Sequence, residues 1–96
     1  MAKQLKSVFT DDLDHCYFTG RYGVERHHIF GGYRRKTSEK YGYILPVVPE
    51  LHPNGVHAGQ ASKLLDLRMK QMAQEHYEAN IGTREQFIYE FGKSYL

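Results

Sequence analysis

The sequence predicts a small α+β domain, with a β-hairpin in its first half and two helices in its second. Three observations predict it. The run Val24 to Phe30 is strand-like and stops at the glycine pair Gly31-Gly32. From Gln60 to Asn80, apolar residues recur near helical spacing. Thr83-Arg84-Glu85-Gln86 then has the form of a helix-opening capping box. With 96 residues the chain is expected to be one domain spanning 1–96, with a core of about 15–80 and a C-terminal helix of about 83–92. A chain of this size buries only about 60–65% of its unfolded surface, so its stability margin is thin.

Residues Ala2 to Asp14 are polar apart from Val8-Phe9, and Asp11, Asp12 and Asp14 form a short acidic run suited to a turn or to a helix start capped by Thr10. His15 to Gly20 reads as a short strand, Arg21-Tyr22-Gly23 as its turn, and Val24 to Phe30 as the partner strand of a hairpin. Gly31-Gly32 lets the backbone leave at angles that other residues avoid. Tyr33 to Lys40 reads as a polar loop. Tyr41 to Pro49 is the next extended piece, and Pro46 marks an edge position or a strand end because it cannot donate to a ladder.

In the long helix Gln60 to Asn80, Leu64, Leu65, Met69, Met72, Ala73, His76 and Tyr77 form one apolar stripe, read as core. Gly82 ends that helix with help from Asn80. The second helix, about Arg84 to Phe91, puts Phe87, Ile88 and Phe91 on one side and stops at Gly92. The tail Lys93 to Leu96 is expected to be tied down by its tyrosine and leucine.

Composition narrows the function. The hydrophobic fraction of 41% and charged fraction of 25% are ordinary for a soluble globular protein. No apolar run approaches a membrane span of ~20 residues, and Met1 to Lys6 lacks a signal-peptide core, so a cytoplasmic location is expected. The single cysteine, Cys16, excludes an intrachain disulfide and a four-cysteine zinc site, leaving six histidines and oxygen donors for any metal. The net charge of +2 argues nothing alone, but Arg21, Arg26, Arg34, Arg35, Lys36 and Lys40 face only Glu25 and Glu39 between positions 21 and 40. Such a patch beside histidines suits a phosphate-handling site, and it equally suits a solvated loop.

The chemistry centres on His27-His28. Neighbours on a strand point to opposite faces, so one imidazole can hold a metal while the other takes a proton from water. A surface pair on a hairpin is the plainer reading. His52 and His57 are separated by Pro53 and Gly55, which excludes a helical i, i+4 pair, and both reach one point only if that loop folds back.

The ordered set of motifs resembles the HNH (ββα-metal) endonucleases. The matches are His27-His28-Ile29 before Gly31-Gly32, and the run Tyr43 to Leu51 leading into His52. It is more closely similar to small phage-type HNH proteins related to the RecA-dependent recombination-enhancement nuclease. Those share a Glu-x-His-His-x-Phe-Gly stretch, Ser38-Glu39-Lys40-Tyr41-Gly42, Gly55-Val56-His57 and the ending Phe91 to Leu96. The resemblance covers about residues 15 to 96.

It implies a ββα-metal core and a DNA phosphodiesterase, with His28 as general base and His27, His52 and His57 as ligands of one divalent metal. Three imidazoles suit zinc, nickel or manganese better than magnesium, which prefers oxygen. Arg26, Arg34, Arg35, Lys36 and Lys40 would then hold the DNA backbone. Expected partners are DNA and, by the same likeness, a recombinase filament or host protein, with no membrane. The other reading is a non-catalytic DNA- or protein-binding module on the same scaffold. Two family landmarks are missing. No asparagine stands at Tyr41 to Tyr43, Asn54 being displaced from that place. Of the knuckle cysteines only Cys16 remains, with Thr19 at its partner position and Leu51 where another ligand would lie. The chain is therefore expected to rely on hydrophobic packing rather than structural zinc.

Overall fold

A computed structural model describes residues 5–51 and 60–96. Its elements run β1 (Glu25–His28), α1 (Arg35–Tyr41), β2 (Ile44–Val47), α2 (Gln60–Asn80) and α3 (Arg84–Phe91), with 3-10 turns at Gly32–Arg34 and Pro49–Leu51. The α+β class and both C-terminal helices are as the sequence predicts. Among the described residues no helix is long and apolar enough to cross a membrane.

The hairpin differs from expectation. β1 pairs antiparallel with β2, not with His15 to Gly20, in the register Glu25↔Val47, Arg26↔Pro46, His27↔Leu45 and His28↔Ile44. The His15 to Gly20 run closes on itself instead: Gly20 N–H donates to Cys16 C=O at 2.8 Å, and Cys16 N–H to Arg21 C=O at 2.8 Å. The reason is burial. Only Cys16 of that run is buried, while Tyr17 and Phe18 are exposed, whereas every residue of β2 is buried. The turn docks on β2 from outside, with Tyr17 N–H donating to Pro46 C=O at 2.9 Å. A strand residue's N–H and C=O point the same way. Pro46 therefore turns its missing donor away from β1, and no ladder bond is lost.

Thr19, standing where a second knuckle ligand would be, hydrogen-bonds the Cys16 sulfur. Burial pushes the thiol up, but Thr19 and backbone groups of Val48, Phe18 and Thr19 outweigh it and hold the thiol below its usual range.

The expected loop Tyr33 to Lys40 is mostly helix. Residues Arg35–Tyr41 have no apolar stripe, because the only side chain α1 buries is Ser38. Ser38 Oγ donates to Phe30 C=O at 2.8 Å and accepts from Phe30 N–H at 3.0 Å, which clamps α1 to the end of the β1 run. The helix ends at Gly42, at φ 75°, where Tyr43 N–H reaches back to Ser38 C=O at 2.8 Å. A Cβ on Gly42 would also meet Val8 Cγ1 at 2.9 Å, so glycine is required there twice over.

α2 buries Met69, Ala73 and Tyr77, with Leu65 and Met72 partly covered. Leu64, expected in that stripe, is 62% exposed. On α3, Thr83 and Gln86 form the capping box reciprocally, at 3.1 and 2.7 Å. Phe87 and Phe91 enter the core, but Ile88, expected beside them, is 38% exposed. The core is strongly aromatic: Phe30 lies 4.2 Å from Phe91, and Phe87 4.8 Å from Phe91, centroid to centroid.

Polar contacts complete the assembly. Glu90 of α3 accepts from Tyr41 Oη of α1 and Tyr77 Oη of α2, each at 2.6 Å. The tail is held by Gln74, whose Oε1 accepts from Tyr95 N–H at 2.7 Å, and by Tyr95 packing on Phe30. Leu96, expected to share that task, is half exposed.

Candidate active site

β1 is exposed over Glu25 and Arg26 and buried over His27 and His28. Its one sheet neighbour among the described residues is β2. Both histidines line one cleft of about 430 Å³, whose walls also include Glu25, Arg26, Gly31, Gly32, Arg35, Asp66 and Lys70.

The two imidazoles meet different helices. His27 Nε2 lies 4.0 Å from Asp66 Oδ1 on α2, beyond hydrogen-bond length. Lys70, one turn on, holds the other carboxylate oxygen of Asp66 at 2.7 Å and leaves Oδ1 turned to the histidine. His28 Nε2 lies 3.4 Å from Glu39 Oε1 on α1, as an ion pair that carries charge only when the ring is protonated. The contact is misaligned for a hydrogen bond, and this buried nitrogen has no hydrogen-bond partner among the described residues.

An imidazole nitrogen beside a carboxylate oxygen is a donor set that fits a borderline divalent metal. Two ligands of one tetrahedral ion at ~2.0–2.2 Å stand roughly 3.4 Å apart, so at 4.0 Å the pair would have to close by about half an ångström on an ion. His27 and Asp66 are the described residues placed to hold such an ion. Among the described residues no three histidine, cysteine, aspartate or glutamate side chains gather closely enough to do so together. His52 and His57, the other expected ligands, lie outside the described residues. Asp66 and Glu39 are absent from the expected site. The one sequence signal for Asp66 is its i, i+4 spacing from Lys70. For Glu39 the one signal is the Ser38-Glu39-Lys40-Tyr41-Gly42 match, because its segment reads as a loop.

The expected DNA-binding cations divide. Arg35 and Lys36 are exposed, and Arg35 lines the cleft. Arg26 Nη2 pairs with Asp14 at 3.1 Å, its Nε also reaching Leu13 C=O at 3.4 Å. Arg34 Nε donates to Glu90 C=O at 3.3 Å. Lys40 Nζ lies 3.8 Å from Glu90 Oε1 and over the Tyr41 ring. The remaining described histidines have local partners, His15 with Asp12 at 2.7 Å and His76 with Tyr43 Oη at 3.1 Å.

Comparison with family models, curated proteins and solved structures finds no match to this chain.

Proposed function

We propose that the protein is a metal-dependent endonuclease of the HNH type that hydrolyses DNA phosphodiester bonds. The observation that carries this reading is the adjacent pair His27-His28, buried at a strand end and opening into one cleft toward carboxylates of two helices. The motif resemblance supports it, as do the cations Arg35 and Lys70 on the cleft wall.

His28 is the general base. Its Nε2 takes a proton from a water molecule, whose oxygen attacks phosphorus while the 3′ oxygen leaves. Glu39, 3.4 Å away, pairs with the imidazolium so formed. His27 and Asp66 would hold the divalent ion, with His52 and His57 as the further ligands that the resemblance implies. When bound, the ion neutralises charge on the phosphate and the leaving oxygen. Arg35 and Lys36 hold the flanking backbone by contacts that carry no sequence information.

The test is plasmid nicking by the purified chain with zinc, manganese, nickel or magnesium, each with and without chelator. Nicking that needs one of these ions and stops with chelator is expected. Unchanged plasmid under every condition would contradict the proposal.

A further inference from the structure

Tyr33 is 83% exposed, yet one of its faces is already occupied. The Arg34 guanidinium lies over the ring, with Cζ 4.2 Å from the centroid. That guanidinium is itself fixed. Its Nε donates to Glu90 C=O on α3, and it packs so closely on Gly92 that an added Cβ there would stand 2.7 Å from Nη2. The end of α3 therefore anchors Arg34, and Arg34 backs Tyr33.

The ring is thus a platform with one covered and one open face, held by a cation–π contact before any ligand arrives. Its position gives it meaning. Tyr33 follows Gly32 and Arg35 comes two residues later, and both of these line the histidine cleft. Arg35 and Lys36 add exposed positive charge next to the ring. Scattered surface aromatics need no explanation, but one braced from behind and flanked in the chain by residues of the histidine cleft does.

We infer that the open face of Tyr33 is a stacking site for an unpaired nucleobase, so that the preferred ligand is DNA with a single-stranded segment. That the polymer is DNA rests on the endonuclease reading; the stacking geometry does not. In duplex DNA both faces of each internal base are covered by its neighbours, and only an unpaired base offers a face to a protein ring. A base on Tyr33 leaves its flanking phosphates beside Arg35 and Lys36 and directs the strand toward His28. A ring already braced loses less freedom on binding than a free side chain would.

The chain contains no tryptophan, so Tyr33→Trp creates a single reporter at this position. The experiment titrates that variant, with chelator present, with a single-stranded oligonucleotide and with its duplex. In parallel, the binding of Tyr33→Ala and Tyr33→Phe is compared with that of the unsubstituted chain. Expected are tryptophan quenching by the single strand well before the duplex, a loss of single-strand affinity of about 5- to 150-fold in Tyr33→Ala, and near-full retention in Tyr33→Phe. Full single-strand affinity in Tyr33→Ala, equal quenching by duplex, or no binding of the single strand would each overturn the inference. Because no cleavage is measured, quenching that persists in a protein unable to nick plasmid would remove the endonuclease reading and leave the stacking site standing.

Discussion

His27 and His28 are adjacent on β1, yet the Nε2 of His27 lies 4.0 Å from Asp66 on α2 and that of His28 lies 3.4 Å from Glu39 on α1. Strand alternation separates the rings, yet both line one cleft. On the proposed reading, this division gives different work to two identical side chains. Metal holding would fall to the α2 side, and proton transfer to the α1 side.

On the proposed reading Asp66→Asn removes a charged ligand and should weaken divalent-metal binding by about 10-fold or more, at least the loss typical of an outer-shell partner. Titration calorimetry with manganese or zinc measures it directly. His15→Ala should leave the affinity unchanged, because that ring is engaged by Asp12. Unaltered affinity in Asp66→Asn would remove this carboxylate from the site.

Ser38 is the clamp between the strand that carries His28 and the helix that carries Glu39. Ser38→Ala leaves Phe30 N–H and C=O buried without that hydroxyl, at a cost of about 1–3 kcal/mol. In a domain of this size each kcal/mol lowers Tm by about 4–8 °C. Thermal unfolding checks the value, and a Tm within one degree of the parent would show that the clamp contributes nothing.

The basic segment should not behave as a unit. Arg35→Ala and Lys36→Ala are each expected to flatten the salt dependence of duplex-DNA binding by roughly 0.9 slope units per lost phosphate contact. Arg34→Ala should act mainly through stability, because its guanidinium is tied to the end of α3. Salt titrations of the three variants, alongside their unfolding curves, separate the cases. An equal slope change for all three would place Arg34 on the DNA as well.

Alkaline stability should depend on Tyr41. Burial first, and then the hydrogen bond and charge of Glu90, push its hydroxyl up to about 12 from 10.0. A folded-state value above the unfolded one means that the native state holds the proton more tightly. The stabilisation is therefore complete below pH 10 and is lost as pH rises toward about 12. Tyr41→Phe should be less stable at neutral pH and lose less on going from pH 10 to pH 12. Urea midpoints across that range test it, and parallel pH profiles would contradict it.

The parts of the fold that were legible in the sequence are those set by local chemistry. The reciprocal bonds of Thr83 and Gln86 and the stop at Gly82 follow from residues within one turn of each other. The Met69, Ala73 and Tyr77 stripe follows from helical spacing. α1 was hidden because Ser38 packs it by hydrogen bonds, so no apolar period marks it. The partner of β1 was hidden because strand pairing is a long-range choice, decided by the full burial of Ile44 to Val47 over the exposed Tyr17-Phe18. The same division runs through the site. His27-His28 stands out as a pair in the sequence, whereas Asp66 and Glu39 reach it only through the docking of helices.

On the proposed reading His28 serves chemistry and not architecture. His28→Ala should lower plasmid nicking by about 10²–10⁴-fold, while metal content, measured on the same preparation, stays that of the parent. Cleavage at the parent rate by a folded, metal-loaded His28→Ala protein would contradict the account.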